Sequence, residues 1–234
     1  MYEKRETQFP ARAQSKDSLA RHWLAHHLEH GDGIEQNRDE AAKIWQELSQ
    51  KSSEYPKGDE ASQYRLGALL YDRDYSGYNP KEGITFLRKS AEQNYDKAQF
   101  ALGMLYYNGY EDIVKQDWKE ARRWLRKAAK QKHDVAQYYL AEIYLNGNGV
   151  PVNRKEAFKW YKASSSTGFV SAMQKYVYCC LNGIGTKKDE EEGYNKYQRM
   201  KAEKEENPFS RNFDRAFREA KRTIWAVSPS AGDA

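Results

Sequence analysis

Residues 136–149 read AQYYLAEIYLNGNG, and the same arrangement returns along the chain as ARHWLAHHLEHGDG (20–33), ASQYRLGALLY (61–71), FALGMLYYNGY (100–110) and AMQKYVYCCLNGIG (172–185). The shared leucine position is Leu24, Leu66, Leu102, Leu140 and then Tyr176, at steps of 42, 36, 38 and 36 residues. A fixed period in that range is the signature of stacked repeats, in which no single unit buries its own apolar face. Ala136, Leu140, Ala141 and Tyr144 fall at i, i+4, i+5 and i+8, one face of a helix of about 3.6 residues per turn. Asn146-Gly147-Asn148-Gly149 then supplies residues that tolerate the left-handed backbone closing a helix. A second helix opens near Asn153 and carries Ala157, Trp160 and Tyr161 up to a break at Gly168. Its aromatic position recurs as Trp45, Phe86, Trp124 and Trp160, at steps of 41, 38 and 36. Asn94 and Lys132 occupy the Gly168 position, and because lysine adopts the left-handed conformation poorly, the Lys132 turn is expected to differ.

These units resemble Sel-one-like repeats, a branch of the tetratricopeptide superfamily. The resemblance is carried by Leu140, Tyr144, Gly147, Gly149, Val150, Ala157, Trp160 and Lys162 in one copy. In the copy before it the matching residues are Leu102, Gly103, Tyr106, Gly109, Ala121, Trp124, Lys127, Ala128 and Ala129. The copy from Ser62 has Asp72 to Gly77 in place of the G-x-G turn, and the last has Tyr176, Val177 and Cys180 where the pattern has Leu, Gly and Tyr. The resemblance implies an all-α fold, a right-handed superhelical α-solenoid of stacked antiparallel helix pairs. Five repeats are expected at about 18–58, 59–95, 96–133, 134–169 and 170–206. Phe213, Phe217, Ala220 and Ile224 then mark residues 207–227 as a capping helix covering the open end. Residues 1–17 and 228–234 carry no pattern and read as flexible.

Composition narrows the function classes. The chain has 234 residues, 31% of them charged, and a mean hydropathy of −1.05, with no apolar run near the roughly 20 residues of a membrane span. The net charge of +5 does not by itself argue for nucleic acid. Cys179 and Cys180 are adjacent in an apolar stretch and read as two buried reduced thiols, which suits a cytoplasmic setting, with the periplasm after signal removal as the alternative. No nucleophile with a base and no phosphate-cradling loop stands in context, since Gly147-Asn-Gly149 and Gly183-Ile-Gly185 recur with the repeat. An enzyme is not expected, nor is a cofactor.

Tyrosine is overrepresented, 18 against 8 phenylalanines. Tyr106, Tyr144 and Tyr161 sit where the repeat needs bulk. Others fall beside the core stripe on the first helix of each pair, the side such solenoids usually turn to their concave surface. The candidate partner-binding residues there are His22, His26, Glu29 and His30; Tyr64 and Tyr71; Phe100, Met104, Tyr107 and Asn108; Tyr138 and Glu142; and Gln174 and Tyr178. A ring with a polar tip suits protein recognition, and the alternative is that these rings pack between adjacent repeats. The resemblance implies a scaffold or adaptor for a protein or peptide partner, and more finely an immunity or inhibitor protein for a bacterial secreted effector; a monomer is expected, although the sequence leaves the oligomeric state open. The competing class is a metal or nucleic-acid binder. His22, His26 and His30 share one helix face, yet they spread over about 12 Å and lack an HExxH motif, so no metal site is expected from those three. Residues 115–132, with eight Lys or Arg against two acids, form the basic alternative.

Overall fold

The computed structural model describes residues 18–51 and 55–205, and the expected capping helix and both termini lie outside them. Ten helices and no strand are found among the described residues: α1 Ser18–His30, α2 Arg38–Leu48, α3 Glu60–Tyr71, α4 Pro80–Glu92, α5 Asp96–Asn108, α6 Trp118–Lys130, α7 Asp134–Asn146, α8 Arg154–Ser165, α9 Val170–Asn182 and α10 Glu190–Glu205. The protein is all-α, of the solenoid type. It divides into two compact units, the first ending at Gln131 and the second beginning at Lys132. Within each unit every helix packs on the next one in the chain.

One device starts every second helix. Asn37, Asn79, Asp117, Asn153 and Asp189 each accept, through the side-chain oxygen, the backbone N–H three residues on, at 3.0, 3.3, 3.0, 3.0 and 2.8 Å. That third residue is a glutamate in all five cases, at Glu40, Glu82, Glu120, Glu156 and Glu192, placing an acid against the positive helix end. The capping residue's own N–H returns to the first helix of its pair, to the carbonyls of Leu28, Leu70, Tyr106, Tyr144 and Cys180 at 2.8–2.9 Å. Each of these carbonyls lies four residues past the repeated leucine position. The closure is therefore identical in register while the loops differ. Gly147 and Gly149 take positive φ, at 73° and 65°. The Asp72–Asn79 loop uses none; Asp72 Oδ1 accepts the Asp74 N–H at 3.0 Å and Tyr75 is buried as its plug. The third loop is two residues longer and folds on a Tyr110–Val114 bridge.

Counting from these caps corrects the aromatic register. Phe86, Trp124 and Trp160 stand seven residues after their caps, but Trp45 stands eight after Asn37, and the seventh is Ile44. Trp45 is thus the counterpart of Leu87, Leu125 and Tyr161, all four at 0–3% exposure, while the seventh position varies from the buried Trp124 to the half-buried Phe86 and Trp160. The first repeat then steps by 42 residues in both of its halves.

Four residues after each cap, and one after the leucine position in the first four repeats, small residues let the paired helices touch. Ala25, Ala41, Ala121, Ala141 and Ala157 are 0% exposed, and a Cβ on Gly83 would stand 2.8 Å from the Gly67 carbonyl. Burying Leu66, Leu102 and Leu140, at roughly 1.5–3 kcal/mol each, supplies the core term beside them. In the last repeat Tyr176, Val177 and Cys180 are all buried, so the departures from the pattern are accommodated inside. Lys132 corrects a second expectation: its φ is 68°, in line with 75° at Asn94 and 88° at Gly168, so the turn keeps the common left-handed geometry despite the side chain.

Candidate functional site

The first helices of the pairs are apolar on two sides, because one side buries the leucine stripe and the flanks carry rings. In the first unit Tyr64 and Tyr71 on α3 are half-buried and pack against the core cluster around Leu102 and Trp124. The Tyr64 ring lies 5.4 Å from Tyr95 and the Tyr71 ring 4.5 Å from Tyr110. Tyr110 in turn shares a hydroxyl contact of 2.6 Å with Tyr78. Burial pushes the Tyr71 phenol up to about 12 and raises Tyr64 as well. On α5, Phe100, Met104 and Tyr107 are half-buried, Tyr107 meeting Trp118 edge-on at 4.9 Å, and Asn108 is exposed. Each ring therefore keeps part of its surface open; Tyr71 reaches into the next repeat, whereas Tyr64 and Tyr107 pack on rings of their own repeats.

In the second unit Tyr138 is half-buried among Tyr139, Tyr161 and Phe169, at 5.4–5.9 Å. Glu142 accepts the Tyr161 hydroxyl and pairs with Lys175 at 3.0 Å, so its carboxylate ties α7, α8 and α9 together. Burial first, and then Glu142, push the Tyr161 phenol up. Gln174 is half-buried, and Tyr178 is 45% exposed, the most open of the expected aromatics. Cys179 and Cys180 are buried and free, with the Cys179 thiol pushed up to about 12 by burial.

On α1 the four candidates separate. His22 stacks edge-on against Trp45 at 4.6 Å and faces Asp59 at 3.9 Å. Glu29 accepts the Trp45 indole N–H at 3.2 Å. His26 and His30 stand apart from that packing, stacked on each other at 4.4 Å. Sequence reasoning did not join Asp32 to them, yet one donor atom from each of His26, His30 and Asp32 lies within 4.8 Å of the others. The missed signal is the glycine turn after the helix, which brings a residue two positions past His30 back over its face.

The basic segment is a surface with a buried floor. Arg123, Arg126, Lys127 and Lys130 are exposed and Arg122 is half-buried. Arg123 and Lys127 lie 4.6 and 4.3 Å over the buried Trp124 ring, and Arg123 pairs with Glu120 at 2.7 Å. Two of the cations are thus held against the protein itself.

The Sel1 repeat pattern matches residues 18–53, 60–95, 96–133, 134–168 and 170–199. The chain belongs to the Sel1 repeat family. Sel1 repeat proteins are generally non-catalytic protein-interaction scaffolds. Among solved Sel1-type structures, c5321, a protective antigen present in uropathogenic Escherichia coli strains, is 24% identical over 83% of this chain with a TM-score of 0.74. This chain spans 40% of the length of c5321. A Sel1 repeat protein from Oxalobacter formigenes is 23% identical, covering 80% of this chain and 74% of that one, with a TM-score of 0.70. Immunity protein Pa5087 from Pseudomonas aeruginosa is 21% identical, covering 82% and 72%, with a TM-score of 0.51. At these identities the likeness is one of fold. No protein of curated function matches this Sel1 repeat chain in sequence.

Proposed function

We propose that this Sel1 repeat protein is a non-catalytic scaffold that captures a partner protein through the aromatic flanks of its first helices. The observation that carries the reading is the contrast between the two helices of a pair. The outer positions of α6 are Lys, Arg and Glu, whereas α3 and α5 place Tyr64, Tyr71, Phe100, Met104 and Tyr107 in half-open positions. Rings already packed against neighbouring side chains lose little side-chain freedom on binding, which is the property of an interface anchor. A finer reading makes the chain an immunity protein that blocks a bacterial effector. That Pa5087 is named an immunity protein and shares this fold is its support. The free, buried Cys179 and Cys180 suit a reducing compartment such as the cytoplasm.

The test is affinity capture from the source cells with wild type, a Met104→Ala/Tyr107→Ala variant and an Arg126→Ala/Lys130→Ala variant, with melting curves for each. Loss of a partner from the first variant alone, at unchanged melting, supports the first-helix face. Loss from the second alone overturns it. For the finer reading, the captured protein is expressed with and without this chain; growth rescue supports immunity, and equal growth removes it.

A further inference from the structure

The end of α1 is built by a tight reversal. Gly31, at φ 75°, and Asp32 both donate their N–H groups to the His27 carbonyl, at 2.8 and 3.3 Å. The His27 Nδ1 lies 2.7 Å from the Asp32 carbonyl, so the ring N–H closes the same turn from the other direction. This fixes the backbone of Asp32 beside the last turn of the helix. The i, i+4 spacing places His26 and His30 one above the other on that turn, and their rings stack with 21° between planes. His30 donates its Nδ1–H to the His26 carbonyl at 2.9 Å. That bond selects the tautomer and leaves Nε2 as a lone-pair donor, the arrangement in which a backbone carbonyl orients a metal-binding imidazole. His26 contributes a further anomaly, because its Nδ1 is shielded from water and has no hydrogen-bond partner. A shielded polar atom without a partner carries a desolvation cost, which coordination through that nitrogen would remove.

We infer that His26, His30 and Asp32 form a three-ligand site for a zinc-class divalent transition ion on the first repeat, with a fourth position open. Two imidazoles and one carboxylate suit zinc and its neighbours, whereas magnesium and calcium take oxygen ligands. Donors around a tetrahedral zinc lie about 3.4 Å apart. Binding would draw donors now within 4.8 Å of one another to that spacing, by swinging the exposed Asp32 side chain and tilting the exposed His30 ring out of its stack about its Nδ1–carbonyl bond. His22 does not belong to the site, since its ring is held by Trp45, and Glu29 is held by the same indole. The constellation is thus two histidines of the helix and the aspartate of the turn, rather than three histidines in a line. With three protein ligands, the remaining position is filled by water or by a donor from a bound protein.

The test uses the full chain without any histidine tag, titrated calorimetrically with zinc chloride and separately with magnesium chloride. One zinc per chain and no heat from magnesium are expected. His26→Gln and His30→Gln should each weaken zinc binding at least tenfold, and Asp32→Asn should weaken it several-fold. Glu35→Gln and a Cys179→Ser/Cys180→Ser variant should leave it unchanged. Zinc binding that disappears in the cysteine variant, or survives in both histidine variants, overturns the site, as does wild type that takes no zinc. Nitrogen NMR of the wild-type imidazoles keeps the test independent of variant folding: zinc should move the His26 and His30 signals and leave His22 and His133 in place. Shifts at His22 or His133 instead would remove the assignment.

Discussion

Gln131 donates its side-chain amide to the carbonyl oxygen of the Gln99 side chain at 2.9 Å, and one repeat earlier Gln93 does the same to Gln63 at 2.9 Å. In each pair the acceptor glutamine is 1% exposed and stands three residues before the repeated leucine. The donor glutamine is the residue that ends the second helix of the same repeat. The acceptors spend their own amides on the turn behind them. Gln63 donates to the Ser49 and Lys57 carbonyls, and Gln99 to the Ala91 carbonyl and Asn94 Oδ1. A polar thread inside an apolar stack fixes how one repeat meets the next, because a slip would strand these groups without partners.

Gln99→Leu should therefore destabilise the protein by about 1–3 kcal/mol, although it adds apolar bulk to the interior, since it removes the bonds Gln99 makes to the Gln131 amide, the Ala91 carbonyl and Asn94 Oδ1. Urea unfolding of wild type, Gln99→Ala, Gln131→Ala and the double variant should give a coupling of about 0.5–1.5 kcal/mol. A coupling of zero would mean the thread is decorative.

The Gly67–Gly83 contact makes a second prediction. A methyl group on Gly83 meets the Gly67 carbonyl at 2.8 Å and the Tyr71 amide nitrogen at 3.2 Å, both backbone. On Gly103 the closest contacts are side-chain atoms of Leu125 at 2.8–2.9 Å, with the Leu125 amide nitrogen at 3.2 Å, so no backbone atom comes as near as the Gly67 carbonyl does to Gly83. Gly83→Ala should cost about 2–3 kcal/mol and Gly103→Ala about 1 kcal/mol or less after Leu125 rotates, even though alanine is the better helix former at both sites. Equal losses in denaturant melts would contradict the backbone-contact explanation.

Lys132 holds φ at 68° where Gly168 serves the equivalent turn. Lys132→Gly should stabilise the chain by about 0.5–1 kcal/mol, because relief of the left-handed strain outweighs the added freedom of glycine when unfolded. Thermal unfolding at pH 7 reads this directly, and a lower midpoint would refute it.

Tyrosine ionisation sets an alkaline limit. The Tyr71 phenol is raised from 10.0 to about 12, by burial first and then by Tyr110, so between those values the unfolded chain loses a proton that the folded chain keeps. With fewer protons bound in the unfolded state, stability falls as pH rises. The contribution of Tyr71 is fully present below pH 10 and is lost toward 12. Tyr71→Phe should show a shallower decline in urea midpoint between pH 9.5 and about 11.5 than wild type. Parallel declines would remove Tyr71 from the account.

The repeat period, the helix pairs and the buried leucines were legible in the sequence because each rests on local spacing. Trp45 misled by one position because a ring looks like its equivalent in any repeat, whereas only the cap at Asn37 sets the count. The glutamine thread was invisible for a different reason: glutamine ordinarily marks a surface, and its burial here depends on turns contributed by another repeat. In the candidate face, Tyr64 and Tyr178 read alike as sequence, but one packs on Tyr95 and the other is 45% exposed. Asp32 joined His26 and His30 only through the Gly31 reversal, which determines direction in space rather than distance along the chain.

The returning bond from each cap to its first helix joins residues only nine positions apart in four repeats, and eleven in the third. Such bonds close short loops, so each helix pair can zip without waiting for distant parts of the chain, and the topology is one of low contact order. Growth of the structure can then follow synthesis, each helix pair closing on itself as it emerges. A gene for such a chain can gain or lose a whole repeat without rewriting any closure that remains.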